Sequence, residues 1–139
     1  MVREIIKDTE ILQQVSKKIK PNAKETRQAI QDLIDTAEEH KDRCVGLSAI
    51  QIGEPVRVFV AFTGEKFIPF VNPIITQYIG EAYEAEESCM SLEGSRKVNR
   101  YKGVEIMHQR GSKFVKERYS GFFAQIIQHE MDHLSGKLI

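Results

Sequence analysis

Apolar residues recur at helical spacing in three segments of the chain, and these segments predict three helices. The first helix is expected over residues 8–20, because Pro21 breaks the pattern there. The second is expected over residues 23–41, with apolar side chains on one stripe and charges opposite, an arrangement typical of packing against a core. The third is expected between Ser120, which can cap its start, and Gly136, which can end it.

Between the second and third helices, short runs rich in β-branched and aromatic residues predict strands. Residues 56–62 and 66–71 are expected to pair through a hairpin turn at Gly64-Glu65. Pro73 cannot donate a hydrogen bond to a sheet, so the second strand is expected to end there or to lie at a sheet edge. Further strands, the first two weakly indicated, are predicted at residues 74–79, 82–86, 103–109 and 113–118. Two N-terminal helices, several strands and a final helix predict a single α+β domain over residues 1–139.

Composition and charge argue against several classes of partner. The 20 basic and 20 acidic side chains cancel, so there is no electrostatic signal for nucleic acid or an anionic membrane. No apolar stretch approaches the roughly 18 residues of a spanning helix, and the charged N-terminus lacks a signal-peptide core. A cytoplasmic protein is therefore expected. In a reducing cytosol, Cys44 and Cys89 are expected to be a ligand or free thiols, with a disulfide between them as the alternative.

The strongest chemical signal is the H-E-x-x-H motif at residues 129–133. His129 and His133 are four residues apart, so in a helix they lie on one face and can bind a single metal ion. Glu130 is turned about 100° around the helix from His129, which places it to act on a water at the metal rather than to bind the metal. Two such histidines can also be ordinary half-buried side chains. Here the helical pattern directs both imidazoles inward, where a metal removes the cost of burying them, and this favours a metal site.

A catalytic metal site needs a third protein ligand and an open position for water. Cys89 is the best candidate, because it lies in a polar stretch of small residues and because a thiolate binds Fe(II) and Zn well. Its alternative role is that of a buried structural cysteine. The rival candidates for the third ligand are His40 and His108, and both are expected at the surface. Gln51 offers an amide among small apolar neighbours, but the pattern alone does not distinguish an oxyanion donor from an ordinary loop residue.

Three stretches resemble the three motifs of the peptide deformylase family and occur in the family's order. Residues 46–51, G-L-S-A-I-Q, resemble G-L-A-A-x-Q. Residues 87–91, E-S-C-M-S, resemble E-G-C-L-S, and residues 128–133, Q-H-E-M-D-H, resemble Q-H-E-x-D-H. A lone H-E-x-x-H is compatible with many metal hydrolases, whereas the three motifs together are specific.

This resemblance implies antiparallel strands packed around a perpendicular C-terminal helix that carries the H-E-x-x-H motif. It implies a metal-dependent hydrolase that removes the N-formyl group from the initiator methionine of nascent peptides and releases formate. The expected partners are N-formylmethionyl nascent peptides and the ribosome near its exit tunnel. The metal is expected to be Fe(II), with Zn, Ni or Co as substitutes.

The resemblance also implies roles for individual residues. Glu130 would take the proton of the attacking water and pass it to the leaving amine. The oxyanion would be held by the Gln51 side chain and the Met90 backbone N–H. Arg96 would face the substrate. The metal ligands would be Cys89, His129 and His133. The peptide would pair, as an added strand, with the backbone near Val45, Gly46 and Ser88. A further expected pair, behind the ligands, is Glu87 with Arg100.

Four residues depart from the family's usual pattern. Glycine usually stands at the positions of Cys44 and Ser88, alanine at that of Ser48 and leucine at that of Met90. Cys44 and Ser88 are expected along the substrate edge, so they bear on peptide affinity. Two other functions stay open. One is a non-catalytic relative that keeps the metal and binds peptides or the ribosome. The other is a zincin-type metallopeptidase, although no third His or Glu ligand occurs at zincin spacing.

Overall fold

Five antiparallel strands form one sheet in the computed structural model of this protein, which describes residues 1–139. The strands pair in chain order and are β1 (Gly46–Ser48), β2 (Val58–Phe62), β3 (Phe67–Glu87), β4 (Arg96–Arg110) and β5 (Lys113–Ser120). The α-helices are α1 (Thr9–Leu12), α2 (Lys24–Glu39) and α3 (Gly121–Leu134), and a 3₁₀ turn at Ala49–Ile52 follows β1. The predicted α+β class, with an antiparallel sheet and a C-terminal helix, is confirmed.

The central part of the core is built on both faces of β2. Val58 and Val60 belong to an apolar cluster with residues of α2, whereas Phe59 and Ala61 belong to a second cluster with residues of α3. Because successive side chains of a strand point to opposite faces, the two helices cover opposite sides of this strand. This burial explains why β2 is a continuous apolar run, V-F-V-A-F, rather than an alternating one.

The prediction for the first helix is wrong in length, because α1 has only four residues. Backbone hydrogen bonds to distant segments hold the residues that follow α1 in an extended path. The Ser16 N–H donates to the carbonyl of Leu134 and the Lys17 N–H to that of Pro55, both at 3.0 Å. Val15, predicted as an apolar helix position, is 66% exposed. Tertiary hydrogen bonding therefore overrides the helical spacing in this segment.

The expectation that the strand ends at Pro73 is wrong, because β3 continues through this residue. The alternative, a position at a sheet edge, fits the pairing, since β2 pairs with β3 only as far as Val71 and the residues after Pro73 pair with β4 alone. A register shift between Val71 and Ile74 marks a bulge in the pairing with β4. Within the bulge, Asn72 has a φ of 49°, and its side chain bonds to both backbone groups of Ile19. The bulge accommodates the missing N–H of the proline, so the two weakly indicated strands after it are parts of β3.

The remaining elements follow the sequence pattern closely. α2 lies within its predicted range, and α3 begins directly after Ser120, the residue expected to cap it. β4 starts at Arg96, earlier than the pattern indicates, and pairs with β5. No helix of the protein has both the length and the apolar character that crossing a membrane requires.

Candidate active site

α3 places the two histidines of the H-E-x-x-H motif next to a cysteine from another part of the chain. His129 and His133 lie one turn apart on the buried face of α3, with their Nε2 atoms 3.1 Å apart. Cys89 lies in the loop between β3 and β4. The candidate ligand atoms of the three residues all fall within 4.8 Å of one another. The structure thus brings together the three residues predicted to bind the metal.

The donor set fits one tetrahedral metal ion. Two nitrogens bound at 2.0–2.1 Å in tetrahedral geometry lie roughly 3.3 Å apart, close to the 3.1 Å between the two Nε2 atoms. The other ring nitrogen of His129, Nδ1, is 2.8 Å from Glu87 Oε1, which leaves Nε2 for a metal. One thiolate and two imidazoles suit Fe(II) or Zn, and three ligands leave one position for water.

The charges around the ligands also favour a cation. Burial raises the pKa of the Cys89 thiol, but hydrogen bonds from His129 and the nearby backbone outweigh burial and hold that pKa below its usual value. Burial lowers the pKa of His129, whereas Cys89 and Glu87 raise it to about 10. Burial and the neighbouring charge on His129 lower the pKa of His133 to about 3, so this imidazole stays neutral. A metal cation can therefore replace the proton that His129 otherwise carries.

Glu87 supports His129 through a network of buried side chains. Arg100 donates two hydrogen bonds to the Glu87 carboxylate, at 3.0 and 2.8 Å, and this is the pair expected from the sequence. Arg100 also donates to Asp132 at 2.7 Å, and Gln125 donates to Glu87 at 2.9 Å. Burial raises the pKa of Glu87, but His129 and Arg100 lower it to about 2. Glu87 therefore remains a carboxylate and fixes the orientation of the His129 ring.

Glu130 lies beside the ligands, 3% exposed, with its carboxylate between α3 and β1. Ser48 Oγ donates to Glu130 Oε1 at 2.9 Å. On the other side, a β-carbon added to Gly46 would lie 2.7 Å from Glu130 Oε2, so only glycine leaves room for the carboxylate. Burial raises the pKa of Glu130 to about 7, although His129 and Ser48 act in the opposite direction. A carboxyl group with a pKa near neutrality can accept and release a proton, as a general base must.

Gln51 lies in the 3₁₀ turn after β1, where both ends of its amide are held. Its Oε1 accepts a hydrogen bond from the Ser48 N–H at 3.0 Å, and its Nε2 donates to Ser91 Oγ at 3.1 Å. The donor end therefore points toward the loop that carries Cys89 and Met90. An amide held in this way can donate to a developing oxyanion with little reorganisation.

A cleft of about 530 Å³ opens onto Cys89, His129 and Glu130, whereas His133 and Gln51 are buried and are not part of its lining. Its lining includes the predicted site residues Val45, Gly46, Ser88, Cys89, Met90, His129 and Glu130. β1 is the last strand of the sheet on this side, so one of its edges is unpaired and can accept an extended peptide. The structure does not bring Arg96 to the cleft, since this residue begins β4 and is not part of the lining.

The surface location predicted for His108 is wrong. His108 is 1% exposed, its ring packs against Phe70 with centroids 4.6 Å apart, and it bonds to Glu117. His40 is half-buried at the end of α2, away from the cleft. Cys44 and Cys89 are both free thiols, so the disulfide alternative does not hold.

Two side chains that support the site have little signal in the sequence. The Ser48 hydroxyl contacts Glu130 from another part of the chain, and Gln125 contacts Glu87. The spacing of Gln125, four residues before His129 on α3, is the one local clue, because it puts a polar side chain on the face that carries the ligands. The contact of Ser48 depends on the packing of β1 against α3, which the local pattern does not specify.

Comparisons with known proteins agree on one family. The family model described as polypeptide deformylase matches residues 2–139. A curated peptide deformylase from Clostridium beijerinckii is 41% identical over 140 residues and is covered over 100% of both chains. The crystal structure of the peptide deformylase from Thermotoga maritima superposes with a TM-score of 0.90 at 29% identity, covering 99% of this chain and 95% of that one. The actinonin-bound class I type b enzyme from Acinetobacter baumannii gives 0.89 at 27% identity, with coverage of 99% and 95%.

Proposed function

The chain belongs to the peptide deformylase family, and from the geometry of its site we propose how it carries out the family's reaction. It is a metal-dependent hydrolase that removes the N-formyl group from the initiator methionine of nascent peptides. The observation that carries the proposal is the convergence of one cysteine and two histidines within 4.8 Å, with a buried carboxylate beside them.

Cys89, His129 and His133 would hold the metal, and Fe(II) is the ion proposed, with Zn, Ni or Co able to replace it. When bound, the metal would polarise the formyl carbonyl and lower the pKa of a water molecule. Glu87 keeps Nδ1 of His129 occupied, so the ring presents Nε2 to the ion.

Glu130 is the proposed general base. Its carboxylate accepts a proton from the attacking water and delivers it to the nitrogen of the leaving amine, so the carboxylate is regenerated in each cycle. Gln51 Nε2 and the Met90 N–H would donate to the oxyanion that forms on the formyl group. The Gln51 amide is already oriented by Ser48 and Ser91, which supports this role.

The peptide is proposed to lie in the cleft as an added strand along β1, near Val45 and Gly46, with Ser88 on the opposite side. The Acinetobacter baumannii enzyme has been solved with a bound Met-Ala-Ser peptide, which supports a peptide with N-terminal methionine as the occupant. The proposed substrates are formylmethionyl chains as they leave the ribosome in the cytoplasm. Arg96 stays without an assigned contact to them.

A turnover assay tests the function directly. The chain is prepared with Fe(II) without oxygen and, separately, with Ni(II), and formate release from a formyl-Met peptide is measured. Formate release is expected from both forms, with activity of the Fe(II) form fading in air because iron and Cys89 can both oxidise. Metal binding without formate release would indicate a non-catalytic peptide-binding protein, and cleavage of internal peptide bonds would indicate a metallopeptidase.

A further inference from the structure

The hydroxyl of Ser48, the last residue of β1, reaches Glu130 on α3. Ser48 Oγ is 2.9 Å from Glu130 Oε1 and 3.1 Å from the backbone carbonyl oxygen of Glu130. Both side chains are buried, Ser48 completely, so this donor is not simply exchanged for bulk water. A single hydroxyl therefore lies within hydrogen-bond distance of two oxygens of the residue assigned as base.

The two carboxylate oxygens of Glu130 have different surroundings as a result. Oε1 accepts the hydrogen bond from Ser48. Oε2 accepts no hydrogen bond from the protein and lies against Gly46, which lines the cleft together with Glu130. Oε2 is consequently the oxygen left available to a water molecule in the cleft.

Ser48 also links the base to the oxyanion donor. Its backbone N–H donates to Gln51 Oε1 at 3.0 Å, while its hydroxyl donates to Glu130. The residue at the end of β1 thus contacts both groups that must act on one formyl carbon. Any residue but proline offers the backbone contact, whereas the contact with Glu130 requires a hydroxyl.

We propose that Ser48 is a positioning residue for Glu130, holding Oε1 so that Oε2 faces the cleft and takes the proton. In the reaction, Oε2 accepts one proton from the attacking water and returns it to the nitrogen of the leaving amine. The inference rests on the proposed function, since it takes Glu130 as the base of deformylation.

Steady-state kinetics on Ser48→Ala, with the same metal as the parent, test the role of the hydroxyl. We expect kcat to fall about ten-fold with little change in KM, because a hydrogen bond to a charged group is lost while the peptide edge of β1 is kept. Ser48→Thr retains a hydroxyl and is expected to restore most of kcat. Ser16→Ala is the matched control, because it removes a buried hydroxyl without a hydrogen-bond partner and is expected to leave kcat unchanged.

Metal content, measured by mass spectrometry, is expected to stay at one ion per chain in every variant. Three results would overturn the inference: a parental kcat in Ser48→Ala, a loss of metal that accounts for the fall in kcat, or a Ser48→Thr protein of parental stability with kcat not restored.

A second measurement does not depend on activity. Ser48→Ala, Glu130→Ala and the double variant are unfolded with denaturant in the metal-free state, which isolates the contact between the two side chains. We expect coupling, with the unfolding constant of the double variant departing about ten-fold from the product of the single effects. Additive effects refute the positioning role. A parent protein without formate release refutes the proposed function and with it the role of Oε2, whereas an active parent with an unaffected Ser48→Ala variant refutes this inference alone.

Discussion

At the scale of single residues, substitution of Glu130 distinguishes the role of general base from that of metal ligand. Its carboxylate is buried beside the ligand cluster but is not one of the three groups that converge. Glu130→Gln should therefore keep one metal per chain and lose turnover by about 10² to 10⁴, the range typical of general acid–base steps. Metal analysis and formate release on the same preparation check both parts. Turnover equal to that of the parent would remove Glu130 from the mechanism.

Ser88 is the departure from the family pattern that bears most directly on substrate binding. Asn72 is the only non-glycine residue with a positive φ, so the backbone at Ser88 is not strained and its side chain acts only by narrowing the cleft. Ser88→Gly is expected to lower KM for formyl-Met peptides and to leave kcat nearly unchanged. Steady-state kinetics with one metal compare the two proteins. An unchanged or higher KM would mean that serine is fitted to this protein's own substrate.

The role of a residue could be predicted from the sequence where its type and its motif indicate that role, and not where it depends on contacts with distant parts of the chain. For Cys89, His129 and Glu130, the residue type and the surrounding motif indicate the chemical role, and the structure places the three residues close together, as the sequence indicates. His108 shows the opposite case. Its strand looks mixed in polarity, yet the side chain is buried because Phe70 and Glu117 surround it from other strands. Residues that are distant in sequence determine whether such a side chain is buried, and a local sequence pattern holds no information about those residues.

At the scale of helices and strands, predictions were correct where the pattern within one element determines its structure and wrong where contacts with other elements determine it. α2 and α3 have long apolar stripes that pack on the sheet, and their positions follow the pattern. α1 is short because backbone hydrogen bonds to Leu134 and Pro55 hold the residues after it in an extended conformation. β3 passes Pro73 because a bulge with Asn72 at positive φ accommodates the proline. These features arise from contacts between elements, so they could not be predicted from spacing within one element.

The close approach of β1 to α3 provides a test at this scale. A β-carbon on Gly46 would lie 2.7 Å from Glu130 Oε2 and 2.9 Å from Ile126 Cγ2, both closer than real contacts allow. Gly46→Ala should therefore push the strand from the helix and cost about 1–3 kcal/mol of stability, as overpacking does. It should also reduce kcat, because the base moves. Denaturant unfolding and formate release measure the two effects. A variant with parental stability and kcat would show that the strand can shift without cost.

At the scale of the whole molecule, the metal site joins parts of the chain that are far apart in sequence. Cys89 lies in the loop after β3, whereas His129 and His133 lie on α3. A bound ion would therefore connect that loop of the sheet to the C-terminal helix. Both apolar clusters contain residues of β2, so we expect the chain to unfold in a single cooperative step. Binding to the folded state alone stabilises it by about 4 kcal/mol when free metal is a thousand times the dissociation constant.

Removal of one ligand should therefore lose metal and stability together. We expect Cys89→Ala to retain far less than one metal ion per chain and to have a Tm that no longer falls when a chelator is added, whereas the parent's Tm falls. His40→Ala is the control, since it removes a half-buried imidazole outside the cleft. Metal analysis after purification and thermal unfolding with and without chelator provide the readouts. A full equivalent of metal in Cys89→Ala would show that the ion is held by other groups, because two imidazoles alone do not complete a site of this kind.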